Sequence, residues 1–234
     1  MKHIPRFFTD TKLFAGFIAD LSQEQRHHVF CVLRMEENEI LNLFNPIDGE
    51  WECRIIDKKK GKVECEKQIR KCSENEDGAI VACAVIQPNN MSWMLEKITE
   101  LGVSEIIPII TQYTNFRNFN EKKAQKIIIQ ACEQSKRLTV PKLHSVIKLD
   151  NFLNKYDYNY PLIVGDEKLP KNTVYECIGK KNVFLIGPEG GFSEEEHNLF
   201  DKYSFIKKVK ISNNILRTET AAIAFVSISG CKPL

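Results

Sequence analysis

The sequence predicts an α/β protein in two parts, a small β-barrel followed by a larger domain built on a mainly parallel sheet. Two observations carry this. Residues 39–66 consist of short strand-like runs separated by turn residues, whereas from residue 79 onward continuous apolar runs alternate with helical patterns. Between them, residues 71–78 (KCSENEDG) are polar and without periodicity, which places the boundary there and the domains at 1–72 and 73–234.

The elements follow in order. Ser22 and Gln25 have the spacing of a capping box, opening a helix over 26–33. Residues 39–44 and 51–56 form two strands across a turn at 45–49 (NPIDG). After a second turn at 58–61, residues 62–66 (KVECE) alternate with period two. Short strands with tight turns suggest a small antiparallel barrel. In the second part, residues 79–86 are apolar throughout, as in a strand buried on both faces. Ser92 is the expected N-cap of a helix whose Met94, Leu95, Ile98 and Leu101 recur at helical spacing, with Gly102 ending it. A strand at 105–110 completes a strand–helix–strand unit. Residues 120–137 form an amphipathic helix with Ala124, Ile127, Ile128 and Ala131 on one face. Further strands fall at 161–164, 182–186 and 205–211, and helices at 193–202 and 218–229.

Composition excludes several classes. A net charge of +2 over 234 residues gives no global basic field, so contact with nucleic acid must come from local patches. No apolar run approaches the ~20 residues of a membrane span, and residues 1–12 lack the apolar stretch of a secretory signal; the expected location is the cytoplasm, without membrane contact. None of the 8 cysteines forms a C-x-x-C pair and the 5 histidines make no spaced set, so no metal is expected.

Chemistry is concentrated in two segments. Gly187-Pro188-Glu189-Gly190-Gly191 follows an apolar strand and precedes Ser193 and Glu196, a second capping box. Ligands of α/β sheets bind beyond the carboxyl ends of strands, and glycines let the backbone approach them. A plain strand-to-helix turn accounts for the loop about as well. No G-x-G and no G-x-x-x-x-G-K-[ST] occurs, so neither a dinucleotide fingerprint nor a P-loop is present. The second segment, residues 211–222 (ISNNILRTETAA), passes from a strand through a loop to a helix rich in small residues. The dipole of the helix accounts for Glu219 and capping for Thr218 or Thr220, but a cation at that end, Arg217, is disfavoured.

Residues 185–193 (LIGPEGGFS) and 214–221 (NILRTETA) closely resemble the two signature segments of the RsmE family, 16S rRNA uridine N3-methyltransferases of the SPOUT superfamily. Residues 96–103 (EKITELGV), 130–135 (QACEQS) and 28–34, ending Val-Leu-Arg, resemble further family stretches, so the likeness runs in order along nearly the whole chain. It implies a C-terminal SPOUT-type domain tied in a trefoil knot, an N-terminal PUA-like barrel that binds RNA, S-adenosylmethionine as cofactor with no metal, 16S rRNA as substrate within the small subunit, and a homodimer. By position it implies cofactor contacts at Val164, Gly165, Ile186, Gly187, Pro188, Glu189, Gly190, Gly191, Ile211, Ser212, Asn213, Ile215, Leu216 and Thr220. Two departures stand out: Ser212 replaces a usual glycine, and residues 87–91 (QPNNM) lack the family's lysine and glycine.

Methylation at N3 of uracil requires loss of a proton and stabilisation of the resulting anion. Arg217 is the candidate for the anion or a phosphate, and Glu219 for polar positioning or proton transfer. Arg6, His28, Arg34, Lys136 and Arg137 are the candidate RNA contacts. Two alternatives stay open on the sequence: a ribose 2′-O-methyltransferase of the same superfamily, and a catalytically silent RNA-binding protein on the same fold.

Overall fold

The computed structural model describes residues 4–72, 78–157, 159–170 and 181–230. Most of the expected linker, residues 73–77, lies outside the described residues, as do Cys177 and Cys231. The chain divides into two compact units, Met1–Asn75 with Cys132–Val140, and Glu76–Ala131 with Pro141–Leu234. The first unit therefore reclaims a short stretch from the middle of the chain.

In the first unit, β1 (Arg6–Phe8), β2 (Ile18–Asp20), β3 (Ile40–Asn45), β4 (Gly49–Asp57) and β5 (Lys62–Arg70) form a sheet in the order β1-β3-β4-β5-β2. The pairings are antiparallel except that β1 runs parallel to β3, which corrects the wholly antiparallel expectation. A parallel pair needs a long crossover, and the chain between Phe8 and Ile40 supplies it, carrying β2 and α1 (Gln23–His27). The capping box forms as the sequence implies: Ser22 Oγ accepts from the Gln25 amide and Gln25 Oε1 accepts from the Ser22 amide. The helix then widens into a π-helical turn, His28–Val32, and Arg34 follows with φ of 56°. At the β3–β4 turn, Asn45 Oδ1 accepts from both the Ile47 and Asp48 amides. Gly49 has φ of +75°, and a Cβ there would run into the Arg70 carbonyl, so only glycine closes this turn. Phe7, Leu13, Val29, Leu41, Leu43, Ile55 and Val63 form the core.

In the second unit, β6 (Ile80–Ala84), β7 (Glu105–Ile110), β8 (Lys142–Leu143), β9 (Ile147–Lys148), β10 (Leu162–Gly165), β11 (Val183–Ile186) and β12 (Ile206–Val209) make one sheet. Its order is β12-β10-β11-β6-β7-β8, with β9 also on β7, and every pairing is parallel. All five residues of β6 are buried, the consequence of a strand flanked by β11 and β7. The helices are α2 (Pro88–Glu100), α3 (Glu121–Ser135), α4 (Leu149–Asn154), α5 (Glu194–Phe200) and α6 (Thr218–Gly230). Helix α2 starts four residues before the expected Ser92. Gln87 is its N-cap and Pro88 its first residue, where the missing N–H costs nothing and φ is already helical. Ser92 instead donates its hydroxyl to the Pro88 carbonyl. Leu101 is the exposed C-cap rather than a core residue. The short elements β1, β2, β8, β9 and α4 were not expected, because two to six residues do not establish a period. Among the described residues no helix is long and apolar enough to cross a membrane.

Candidate functional site

Three neighbouring parallel strands, β12, β10 and β11, end side by side. Register places Val164 opposite both Leu185 and Lys208, so the loops after the three strands emerge together at the carboxyl edge, where ligands of such sheets bind. They surround a cleft of about 340 Å³, within the size range of small-molecule sites. Gly165, Asp166, Glu167 and Lys168 line it from the first loop, Ile186, Gly187, Pro188, Gly190, Gly191 and Phe192 from the second, and Val209, Lys210, Ile211, Ser212, Asn214 and Leu216 from the third.

Local chemistry shapes each loop. The Gly191 amide donates to the Pro188 carbonyl at 2.9 Å, closing a four-residue turn, and Gly191 takes φ of +70°, the conformation that favours glycine there. Ser193 then caps α5, accepting from the Glu196 amide while Glu196 Oε2 accepts from the Ser193 amide. The buried Glu196 also accepts the Gln112 amide through Oε1 at 2.8 Å, tying the Gly-rich loop to the turn after β7. A Cβ on Gly187 would press on the Phe192 ring, and one on Gly165 on the Phe225 ring, so a side chain at either position would have to displace its aromatic neighbour. Thr218, buried at the start of α6, donates its hydroxyl to the Gly187 carbonyl at 2.9 Å and so fastens the third loop to the second. In the first loop, the buried Asp166 accepts the Lys168 amide, and its second oxygen faces His197 Nδ1 at 3.7 Å.

Of the residues expected to meet the cofactor, Gly165, Ile186, Gly187, Pro188, Gly190, Gly191, Ile211, Ser212 and Leu216 line this cleft. Val164 does not; it is buried in the sheet core. Glu189, Asn213, Ile215 and Thr220 are not among the lining residues either, Ile215 being 81% exposed. Residues the sequence did not single out for the cleft include Tyr113, Lys168, His197, Thr218 and Phe225. Tyr113 lies beyond the carboxyl end of β7, so the strand-end rule applied to that strand would have found it. His197 had only its helical spacing from Ser193 as a signal.

The two catalytic candidates sit differently. The Arg217 side chain is 79% exposed, is not among the residues lining the cleft, and approaches Glu219 Oε1 only to 4.0 Å. Glu219 is buried, and its Oε2 has no hydrogen-bond partner among the described residues, an uncommon state for a buried carboxylate oxygen.

The RNA candidates lie in the first unit, and one of them has another task. Arg6 is buried: Nε donates to Glu50 at 3.1 Å, Nη1 to the Cys132 and Glu133 carbonyls, and Nη2 to the Arg137 carbonyl. Its guanidinium also lies 3.8 Å from the centre of the Phe44 ring. With its fork engaged at the end of α3, it has no donor to spare for a phosphate, which corrects that expectation. His28 is exposed, edge-on to Phe7. Arg34 and Lys136 are exposed and share positive φ, and Arg137 is half-buried, with Nη2 donating to Thr139. Among the described residues no His, Cys, Asp and Glu cluster is placed to hold a metal ion.

Comparison with known proteins decides the family. Residues 73–230 match the RNA methyltransferase domain and residues 21–68 the RNA methyltransferase PUA domain. The chain belongs to this RNA methyltransferase family. It is 31% identical over 229 residues to the ribosomal RNA small subunit methyltransferase E of Rickettsia conorii, covering 95% of this chain and 93% of that protein. Among solved structures, a methyltransferase from Legionella pneumophila in complex with S-adenosylmethionine superposes with a TM-score of 0.85 at 30% identity, over 97% of this chain and 96% of the other. The small subunit methyltransferase E of Neisseria gonorrhoeae, also bound to S-adenosylmethionine, gives 0.85 at 28% identity, over 97% and 96%.

Proposed function

We propose that the chain transfers a methyl group from S-adenosylmethionine to N3 of a uridine in 16S ribosomal RNA, acting on the small subunit as a cytoplasmic homodimer. The observation that carries this reading is the backbone-lined cleft at the ends of β10, β11 and β12, together with two similar solved structures that hold S-adenosylmethionine. The residues fit that group. Gly165, Gly187, Gly190 and Gly191 put main chain rather than side chains against the cleft, and Thr218 holds two of its loops together.

S-adenosylmethionine supplies an already activated methyl group, so the protein has to orient the acceptor and manage one proton. Arg217 stabilises the uracil anion or a neighbouring phosphate. Because it is exposed and is not among the residues lining its own cleft, a site shared with a second copy fits the dimer reading. Glu219, with a free buried oxygen, orients the groups at that junction or takes the proton. The knot implied by the family resemblance belongs to the same reading.

The test is transfer of labelled methyl groups to unmodified small subunits, with the product mapped by reverse-transcription arrest. Arrest at one uridine is expected. A ribose product, which passes the enzyme, defeats the N3 assignment. Arg217→Ala should abolish transfer while calorimetry still finds the cofactor bound; full activity in that variant removes Arg217 from the mechanism.

A further inference from the structure

An enzyme that modifies a base must take that base out of its stack and hold it by a flat apolar face. Three aromatic rings line the cleft apart from the histidine: Tyr113, Phe192 and Phe225. Phe192 and Phe225 are committed to the core at 7% and 0% exposure, whereas Tyr113 is 46% exposed. Its side chain lies against the Gly-rich loop, where a Cβ on Gly190 would come within 3.4 Å of the Tyr113 Cβ and 3.7 Å of its ring.

The turn that presents Tyr113 is held on both sides. The Thr111 amide donates to Thr114 Oγ1 at 2.9 Å, the two hydroxyls are 2.9 Å apart, and both threonines are buried. Between them, the Gln112 amide donates to Glu196. A half-exposed tyrosine on so constrained a turn is pre-organised for contact, and its ring loses little freedom on binding. Topology separates it from two of the three cofactor loops: β6 stands between β11 and β7, while the loops after β10 and β12 lie on the far side of β11. The segment that follows contains Phe116, 40% exposed, then exposed Arg117, Lys122 and Lys123. Aromatics interleaved with cations form the usual surface for unpaired nucleic acid, rings stacking on bases and cations following the phosphates.

From this we infer that Tyr113 stacks on the acceptor base at the mouth of the cleft and that residues 113–123 form the track for the flanking RNA. This rests on the methyl-transfer reading above, and the experiment separates the two. Wild type, Tyr113→Ala, Tyr113→Phe and Arg117→Ala are compared for cofactor affinity by calorimetry, for transfer to small subunits, and for binding of a fluorescent single-stranded RNA containing uridines. Tyr113→Ala should lower kcat/KM for RNA and oligonucleotide affinity by about tenfold or more, with cofactor affinity unchanged. Tyr113→Phe, which keeps the ring face, should recover most of that loss. Arg117→Ala should weaken binding across sequences and reduce the salt slope by about one. An equal loss of cofactor affinity in Tyr113→Ala would assign the ring to the adenine of S-adenosylmethionine and overturn the inference. Unchanged RNA binding would overturn it as well. A wild type that binds the oligonucleotide but transfers no methyl group defeats the methylation reading alone, and the binding comparison still decides the role of Tyr113.

Discussion

Glu133 illustrates how burial sets chemistry at a single residue. Desolvation raises its carboxyl above the ordinary range, although the Phe8 amide and Arg6 pull it back. The folded pKa therefore lies above the unfolded one, and the charged form carries a penalty that grows in as pH rises through the folded value and is absent below the unfolded value. Glu133→Gln can still accept from Phe8 through its carbonyl. It should unfold at higher urea concentration than wild type at neutral pH, with the difference vanishing below pH of about 4. A difference that persists in acid would show that packing, not charge, is responsible. Cys83, in the middle of β6, is a second case. Burial pushes its thiol up to about 12 from 9.0, reducing the thiolate population about a thousandfold. Under native conditions iodoacetamide should label the exposed Cys31 and leave Cys83 unmodified until the chain unfolds, as mass spectrometry of the digested protein would report.

Among the elements, α5 most directly ties local sequence to the site. Its capping box satisfies two amides at the helix start, and the same Glu196 carboxylate reaches across to Gln112. Ser193→Ala removes one cap bond and should cost about 1 kcal/mol in urea unfolding. Glu196→Gln should cost more, because both carboxylate oxygens accept amide N–H groups and the new NH2 must face one of them as donor against donor. If Glu196→Gln proves no worse than Ser193→Ala, the second accepting oxygen of Glu196 adds nothing to stability beyond the cap. The box was legible in residues 193–196 alone. The bridge to Gln112, 84 positions away in sequence, was not, since no local period links the two segments.

Across the molecule, the expected boundary at residue 72 differs most from the structure in what it omits. Cys132–Val140 belongs with the first unit, and Arg6 is bonded to three of its carbonyls and to Glu50. Asn42 and Arg70 complete the same carboxylate. Removing one member of a buried, fully bonded pair is costly, on the order of 3–5 kcal/mol. Arg6→Ala should lose stability of that size in chemical denaturation, far more than any change in RNA affinity measured on the protein that remains folded. A fragment ending at residue 72 leaves the same guanidinium without its carbonyls and should lack a cooperative thermal transition.

The sequence by itself determined the two-part α/β division, the buried central strand β6, both capping boxes and the Gly-rich turn, because these depend on short-range periodicity and on conformational preferences of a few adjacent residues. It also carried the family, through an ordered series of motifs spanning most of the chain. Tertiary structure decided what depends on distant segments meeting: the parallel β1–β3 pair, the start of α2 at Pro88, the engagement of Arg6, and the arrival of Tyr113 and His197 at the cleft. Tyr113 had no motif to mark it. Its place follows from sheet order and from one long-range carboxylate–amide bond, and long-range contact is the kind of information that the pattern of neighbouring residues does not hold.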